Sequence, residues 1–404
     1  FVEKNRRKLY DLPTSVILDM LSELSKKIIL SDLINEIEGI AFFAKWLRRE
    51  NLLKMYRRDL LDEKVLDQFV FREGKKILAQ PRGIVCHWVA SNVDTLALFS
   101  LFQMILCKNA NLIKIPIDSE EIVSTVLKML EEIEVVFEGK SHNGKIITDT
   151  IGVFSFPSSE KSLSEELSLC ADLRVVWGSR IAAQEIENLA IKEHGETLVF
   201  GPKYSLGIFD SNSIESKDFT SVLGDAVIDI ITFDQMACSS PHIYFFEKKS
   251  SKSNRSWIME KLKLVFDNIE SKKIFRQHQH GICTQVINAR AKHFLEQGSD
   301  VIASKDLGWT LLANDLISLE DPVYGRTIFI KEIVKLEEIL PLINRNIQCV
   351  SLAMKDEKRR EFFTKELSYR GVDRCVSPGD MHHFDFPWDG IFPLGRAVRW
   401  VSLK

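Results

Sequence analysis

Cys238 lies in Asp234-Gln-Met-Ala-Cys-Ser-Ser-Pro241, among small residues and just ahead of the strand-like run His242-Ile-Tyr-Phe-Phe246. Small neighbours leave room for a planar carbonyl to reach the sulfur, and a turn there can aim backbone N–H groups at the oxygen that becomes charged on attack. The chemistry on offer is nucleophilic acyl transfer; the same thiol also suits a buried, inert cysteine. Far upstream, Gly83-Ile-Val-Cys-His-Trp-Val-Ala-Ser-Asn92 reads as a strand turning into a helix, followed by Asn111-Leu-Ile-Lys114-Ile-Pro116. Asn92 sits where that strand turns into the helix. A third segment, Asp172-Leu-Arg-Val-Val-Trp-Gly178-Ser179-Arg180, is a strand entering a Gly-Ser turn and a helix. It exposes N–H groups and a hydroxyl that suit a dinucleotide phosphate, although a Gly-Ser turn is also a common cap. No G-x-G-x-x-G follows any strand, so a dinucleotide is held in some other way.

These residues need a scaffold, and its periodicity is readable. Residues 15–30 and 32–55 carry apolar side chains at threes and fours and predict two helices. The cluster Lys45, Arg48, Arg49, Lys54, Arg57 and Arg58 is read as a solvated helix face in preference to a phosphate or membrane patch. From about 80 onward, strands at 83–89, 110–115, 152–156 and 174–177 alternate with helices near 94–107, 119–133, 161–170 and 181–193. Alternation of this kind predicts a parallel sheet with right-handed crossovers. A second series begins near 205, with strands at 205–209, 243–246 and 327–330 and helices near 217–232, 254–269 and 287–297. Gly201-Pro202 is the natural division between two α/β units.

Composition removes several function classes. With 54 Lys and Arg against 57 acidic residues, the net charge of -3 supplies no general field for nucleic acid. Seven scattered cysteines without Cys-x-x-Cys spacing argue against a disulfide framework or structural zinc and fit a reducing cytoplasm. The longest apolar run, 95–107, is too short to span a bilayer, and no signal-peptide pattern opens the chain. His278-Gln-His280 lacks an acidic or thiol partner at helical spacing, so no metal is expected. His382-His383 belongs either near the site or to a surface loop; most of the 25 phenylalanines are expected in the core, with an acyl tunnel as the other use for several.

Asn92, Lys114, Gly178-Ser179 and Cys238 together resemble, in order, the oxyanion asparagine, cofactor lysine, phosphate turn and nucleophile of the aldehyde dehydrogenase superfamily. Within it, Val176-Trp-Gly178, Gln235-Met-Ala-Cys-Ser-Ser-Pro241 and Pro387-Trp-Asp-Gly-Ile391 resemble the long-chain fatty acyl-CoA reductase (LuxC-type) family, over roughly residues 80–400. The resemblance implies an aldehyde-dehydrogenase-like α/β fold: N-terminal helices and a Rossmann-like NADP-binding domain over 1–200, an α/β catalytic domain over 201–371, and a segment over 372–404 returning to the first domain or to a partner subunit. It implies reduction of a fatty acyl thioester to an aldehyde through an acyl-cysteine, in a homo-oligomer that takes its acyl group from acyl-CoA or from an acylated synthetase or transferase. Two departures sharpen this. Val199, in Val199-Phe-Gly-Pro-Lys203, stands where hydrolytic relatives carry a water-activating Glu, and Ile117 stands where NAD-preferring relatives often carry a ribose-binding carboxylate, which favours NADPH although Asp118 is adjacent. The alternatives are a reductase of a short or polar acyl thioester, or a cofactor-free cysteine acyltransferase or assembly subunit.

Overall fold

The alternating apolar runs become two parallel sheets, seen in a computed structural model that describes residues 2–248, 254–272, 275, 278–384 and 387–404. The chain divides into two compact units. One runs to Pro202 and resumes over Phe384–Lys404; the other is Lys203–His383. Residues 372–383 therefore stay with the second unit, and the return begins at Phe384.

The first unit holds a five-stranded sheet of β1 (Ile84–Trp88), β2 (Ala110–Lys114), β3 (Ile151–Phe154), β4 (Leu173–Trp177) and β5 (Glu196–Phe200), in the order β3-β2-β1-β4-β5. All its pairings are parallel. Every residue of β1 and β4 is buried, as central strands covered on both faces must be. Helix α1 (Leu96–Leu106) is apolar nearly all round and correspondingly buried. With α2 (Glu120–Glu131), α3 (Lys161–Cys170) and α4 (Arg180–Glu187) it completes the crossovers. The chain winds outward from β1 to β3 and then returns to β4, so β1 and β4 flank the point where strand order reverses. Open α/β sheets bind ligands outside the carboxyl ends of the strands at that point.

The single helix expected over 32–55 is three pieces, Leu33–Glu36, Ile40–Trp46 and Arg49–Asp59. Ile37 is extended, Gly39 takes a φ of 84° and Arg48 is extended again. Three of the cluster's arginines are ion-paired, Arg49 with Asp19 at 2.7 Å, Arg57 with Glu63 at 3.0 Å and Arg58 with Asp59 at 2.9 Å. A separate antiparallel sheet joins Val70–Arg72, Lys75–Pro81 and Val398–Leu403, with Trp400 opposite Ala79.

The second unit is built on β6 (Tyr204–Phe209), β7 (Pro241–Glu247), β8 (Asp300–Ala303), β9 (Thr310–Ala313), β10 (Thr327–Ile333), β11 (Ile347–Ala353) and β12 (Arg374–Val376), in the order β8-β9-β10-β7-β6-β11-β12. Only β8 runs antiparallel to its neighbour. Side chains alternate between two buried clusters: Tyr244 and Phe246 enter one, Ile243 and Phe245 the other. Helices α5 (Phe219–Ile231), α6 (Arg255–Glu270), α7 (His280–Leu295) and α8 (Glu357–Tyr369) are the principal helices of this unit. Among the described residues no helix is long and apolar enough to cross a membrane.

Candidate active site

At the carboxyl ends of β1, β2 and β4 the first unit opens into a cleft of about 630 Å³, lined by Trp88, Lys114, Lys161, Trp177, Gly178 and Ser179 among others. That volume falls within the range of small-molecule sites. Lys114, Gly178 and Ser179 are thus brought together. Lys114 makes no ion pair among the described residues; its Nζ lies 5.8 Å from the Phe156 ring centroid, and burial lowers its pKa. The Ser179 hydroxyl accepts from the Ala182 N–H at 3.3 Å and caps α4, whose first N–H groups have no intrahelical acceptor. A cationic side chain, a helix start and indole walls fit the phosphates and rings of a nicotinamide dinucleotide.

One wall of the cleft is fixed by a buried polar chain. Trp177 Nε1 donates to Ser100 Oγ at 2.9 Å, and Ser100 lies 2.8 Å from His87 Nδ1. His87 Nε2 is 3.1 Å from the Asn111 carbonyl oxygen, while the Asn111 amide donates to the Asn109 carbonyl. The directions are consistent only for a neutral His87 protonated on Nε2, accepting from Ser100 on Nδ1. Burial lowers its pKa to about 4. Trp177 also stacks on Phe200 at 3.9 Å. Asn92 belongs to the same unit, exposed in the 89–95 connection between β1 and α1, and is not among the residues lining the cleft although Ser91 is.

Cys238 is half-buried in the second unit, at the amino end of β7. Ser205 Oγ donates to the Cys238 carbonyl at 2.9 Å, and the Ser240 N–H closes a tight turn on the Ala237 carbonyl. Immediately before this turn, Phe233, Asp234 and Gln235 have φ of 56°, 49° and 65°. Three consecutive left-handed residues without glycine cost about 1–2 kcal/mol each and persist only where surrounding contacts over-determine them.

Those contacts lie far away in the chain. Ser239 Oγ is 2.9 Å from His382 Nδ1, and His382 Nε2 is 2.7 Å from the Asp229 carbonyl oxygen. His382 is therefore neutral with its proton on Nε2; burial lowers its pKa to about 4. The Asp229 carboxylate accepts from the N–H groups of Gly379 and Met381, yet burial raises its pKa to about 7. His383 is half-exposed and paired with Asp380, so the two adjacent histidines face different surroundings. His278 Nε2 lies 2.8 Å from Arg326 Nη2 and 3.1 Å from the Leu307 carbonyl oxygen. Val199 sits in β5 opposite Val176, packed against the core of the first sheet. Asp229 and Arg326 carry no motif; Gln235 lies within the Cys238 motif, but nothing in its local sequence announces the bonds it makes.

A family model described as acyl-CoA reductase (LuxC) matches residues 20–400. The long-chain acyl-protein thioester reductase of Aliivibrio fischeri is 25% identical, the match covering 99% of this chain and 78% of that protein. The corresponding protein of Vibrio harveyi is 23% identical over 89% of this chain and 73% of its own. Among solved structures, 3,6-anhydro-L-galactose dehydrogenase in complex with NAP aligns with a TM-score of 0.68 at 12% identity, and lactaldehyde dehydrogenase with 0.69 at 11%. Each alignment covers 100% of this chain and 89% of the other. The fold is that of the aldehyde dehydrogenases.

Proposed function

The chain belongs to the acyl-CoA reductase (LuxC) family, and on that ground we propose that it reduces a long-chain acyl thioester to the aldehyde, with NADPH as reductant and Cys238 as the acyl carrier. The observation that carries this reading is the family match over residues 20–400, which takes in both the Lys114 cleft and the Cys238 turn.

The Cys238 thiolate attacks the thioester carbonyl, forming a C–S bond while the donor thiol departs with its electron pair. A thiolate of pKa about 8.5 needs little acid assistance to leave. The Asn92 amide donates to the transient oxyanion. Lys114, Gly178 and Ser179 hold the dinucleotide, which when bound supplies the hydride. Cys238 sulfur is then the leaving group as aldehyde is released. Val199 in place of a carboxylate leaves no general base for water beside the acyl-cysteine, so the intermediate awaits reduction and not hydrolysis. NADPH is favoured over NADH because the position three residues beyond Lys114 is Ile117, which has no charge to repel a ribose phosphate. The names of the relatives favour an acylated protein as donor; a homo-oligomer in the reducing cytoplasm completes the reading.

The test is to present radiolabelled acyl-CoA of graded chain length, map the labelled peptide, and then follow NADPH oxidation and aldehyde release. Label on Cys238 chased into aldehyde by NADPH is expected. Label on another residue sinks the nucleophile assignment; acylation without quenching of tryptophan fluorescence by NADPH points to an acyltransferase instead.

A further inference from the structure

Two left-handed turns meet beneath the Cys238 segment. Phe233, Asp234 and Gln235 form the first; Tyr324, Gly325 and Arg326, with φ of 64°, 61° and 55°, form the second at the entry to β10. Asp234 accepts a hydrogen bond from Arg326 Nη1, and Arg326 Nε donates to the Gly308 carbonyl at 2.5 Å. Arg326 is 1% exposed and Gln235 is fully buried.

Gln235 is the sharper observation. Its Nε2 donates to the carbonyls of Pro241 at 2.8 Å and Thr327 at 2.7 Å, while its Oε1 accepts from the Thr327 N–H at 2.9 Å. The bond to Pro241 closes a ring around 236–240, with Cys238 at its centre, and the two bonds to Thr327 tie that ring to β10. One acceptor and two donors on a single planar head are required. An ionised carboxylate has no donor, and leucine has neither function.

We infer that Gln235 is a positioning residue for Cys238: its amide fixes the turn that presents the sulfur to a carbonyl, and it touches no substrate. The inference rests on the reading of Cys238 as nucleophile. Strain at Phe233 and Asp234 is then part of the device, because a turn released from Thr327 relaxes toward right-handed backbone and re-aims the thiol.

The experiment uses the full chain. Wild type is first labelled with radioactive acyl-CoA; absence of label on Cys238 overturns the nucleophile reading and this inference with it. With wild type labelled there, Gln235→Leu is expected to acylate about 10²-fold more slowly, the scale of a misplacement near 1 Å, while its affinity for NADPH, read by tryptophan fluorescence, is unchanged. Gln235→Glu supplies a signature that lost folding cannot mimic. Its protonated carboxyl keeps the acceptor and one donor, and its ionised form keeps no donor. Its acylation rate relative to wild type therefore falls as pH rises through the carboxyl's pKa, itself raised by burial. The charged or titratable groups around the clamp among the described residues include Asp234, Arg326 and His278, which are the same in both proteins. A rate ratio independent of pH, or Gln235→Leu acylating like wild type, overturns the inference. If circular dichroism melts show that neither variant folds, Gln235 serves the fold alone and the inference is equally overturned.

Discussion

The cleft of the first unit lies at the carboxyl ends of parallel strands, with a lysine that makes no ion pair among the described residues and helix N–H groups without intrahelical acceptors. The Cys238 turn lies at the amino end of β7, where Gln235, Ser239 and the cysteine's own carbonyl are each held by residues distant in the chain. Polar groups of the first region face a cleft. Polar groups closed on one another in the second hold a conformation that the backbone disfavours. Under the proposed function the first region binds and the second aims, and mutations should separate those tasks.

Cys238→Ala should cut deepest: covalent labelling and aldehyde formation are lost entirely, while NADPH quenching of tryptophan fluorescence persists. Parallel loss of NADPH binding would break the comparison. Asn92→Ala should slow reduction by about 10²-fold, as for one oxyanion donor; a wild-type rate would leave Asn92 as a bend residue only. Lys114→Ala should weaken NADPH binding about tenfold or more, the scale of one charged hydrogen bond. Acylation of Cys238 measured without dinucleotide should not change, and a matching fall there would merge the two regions into one.

A subtler effect appears in the pH dependence of stability. Burial raises Asp229 from 3.8 to about 7, so between those values the folded chain keeps a proton that the unfolded chain releases, and stability falls as pH rises. His87 and His382 are lowered from 6.5 to about 4, so the unfolded chain takes up protons that the folded chain refuses, and stability rises with pH across that window. These contributions oppose each other. Asp229→Asn removes only the first, so its melting temperature should climb more steeply than wild type between roughly pH 4 and 7. Parallel curves would place the Asp229 proton elsewhere. The smallest change is expected of Val199→Glu, a slight gain in free fatty acid per aldehyde formed, absent from Val199→Gln; equal hydrolysis in both would indicate a loosened site.

Gly178 and Ser179 could be found in the sequence because helix starts obey local rules, Lys114 through the resemblance to the aldehyde dehydrogenase superfamily, and the alternation after residue 80 announces the fold that carries them. The order of strands is not contained in that alternation, and Asp300–Ala303, Thr310–Ala313, Ile347–Ala353 and Arg374–Val376 were not among the expected strands. Gln235 was legible only as part of the Cys238 motif, and the bonds of Gln235 and Arg326 were invisible for the opposite reason. Their bonds reach across 92 positions of chain, and a positive φ at Phe233 or Asp234 has no residue-type signature as it would at glycine. The break at Gly39 defeated a helical periodicity that continues on both sides of it. Strand β5 contains Val199, whose chemistry drew notice while its secondary structure did not, because Glu196-Thr-Leu-Val-Phe200 is too short and mixed to stand out. The two histidines at 382 and 383 illustrate the limit: adjacency in sequence hides that one is buried on Ser239 and the other faces solvent.

Translation order gives the central strand Lys75–Pro81 a history. Its partner Val398–Leu403 is separated from it by the whole of the second unit. At roughly 5–20 residues per second, a ribosome needs roughly ten seconds to over half a minute to make 203–383. Throughout that interval Lys75–Pro81 pairs with Val70–Arg72 on one side and offers an open edge on the other. The nascent chain thus carries a strand-shaped vacancy that its own late-emerging residues fill, and molecules emerging side by side from one polysome compete to fill it for one another.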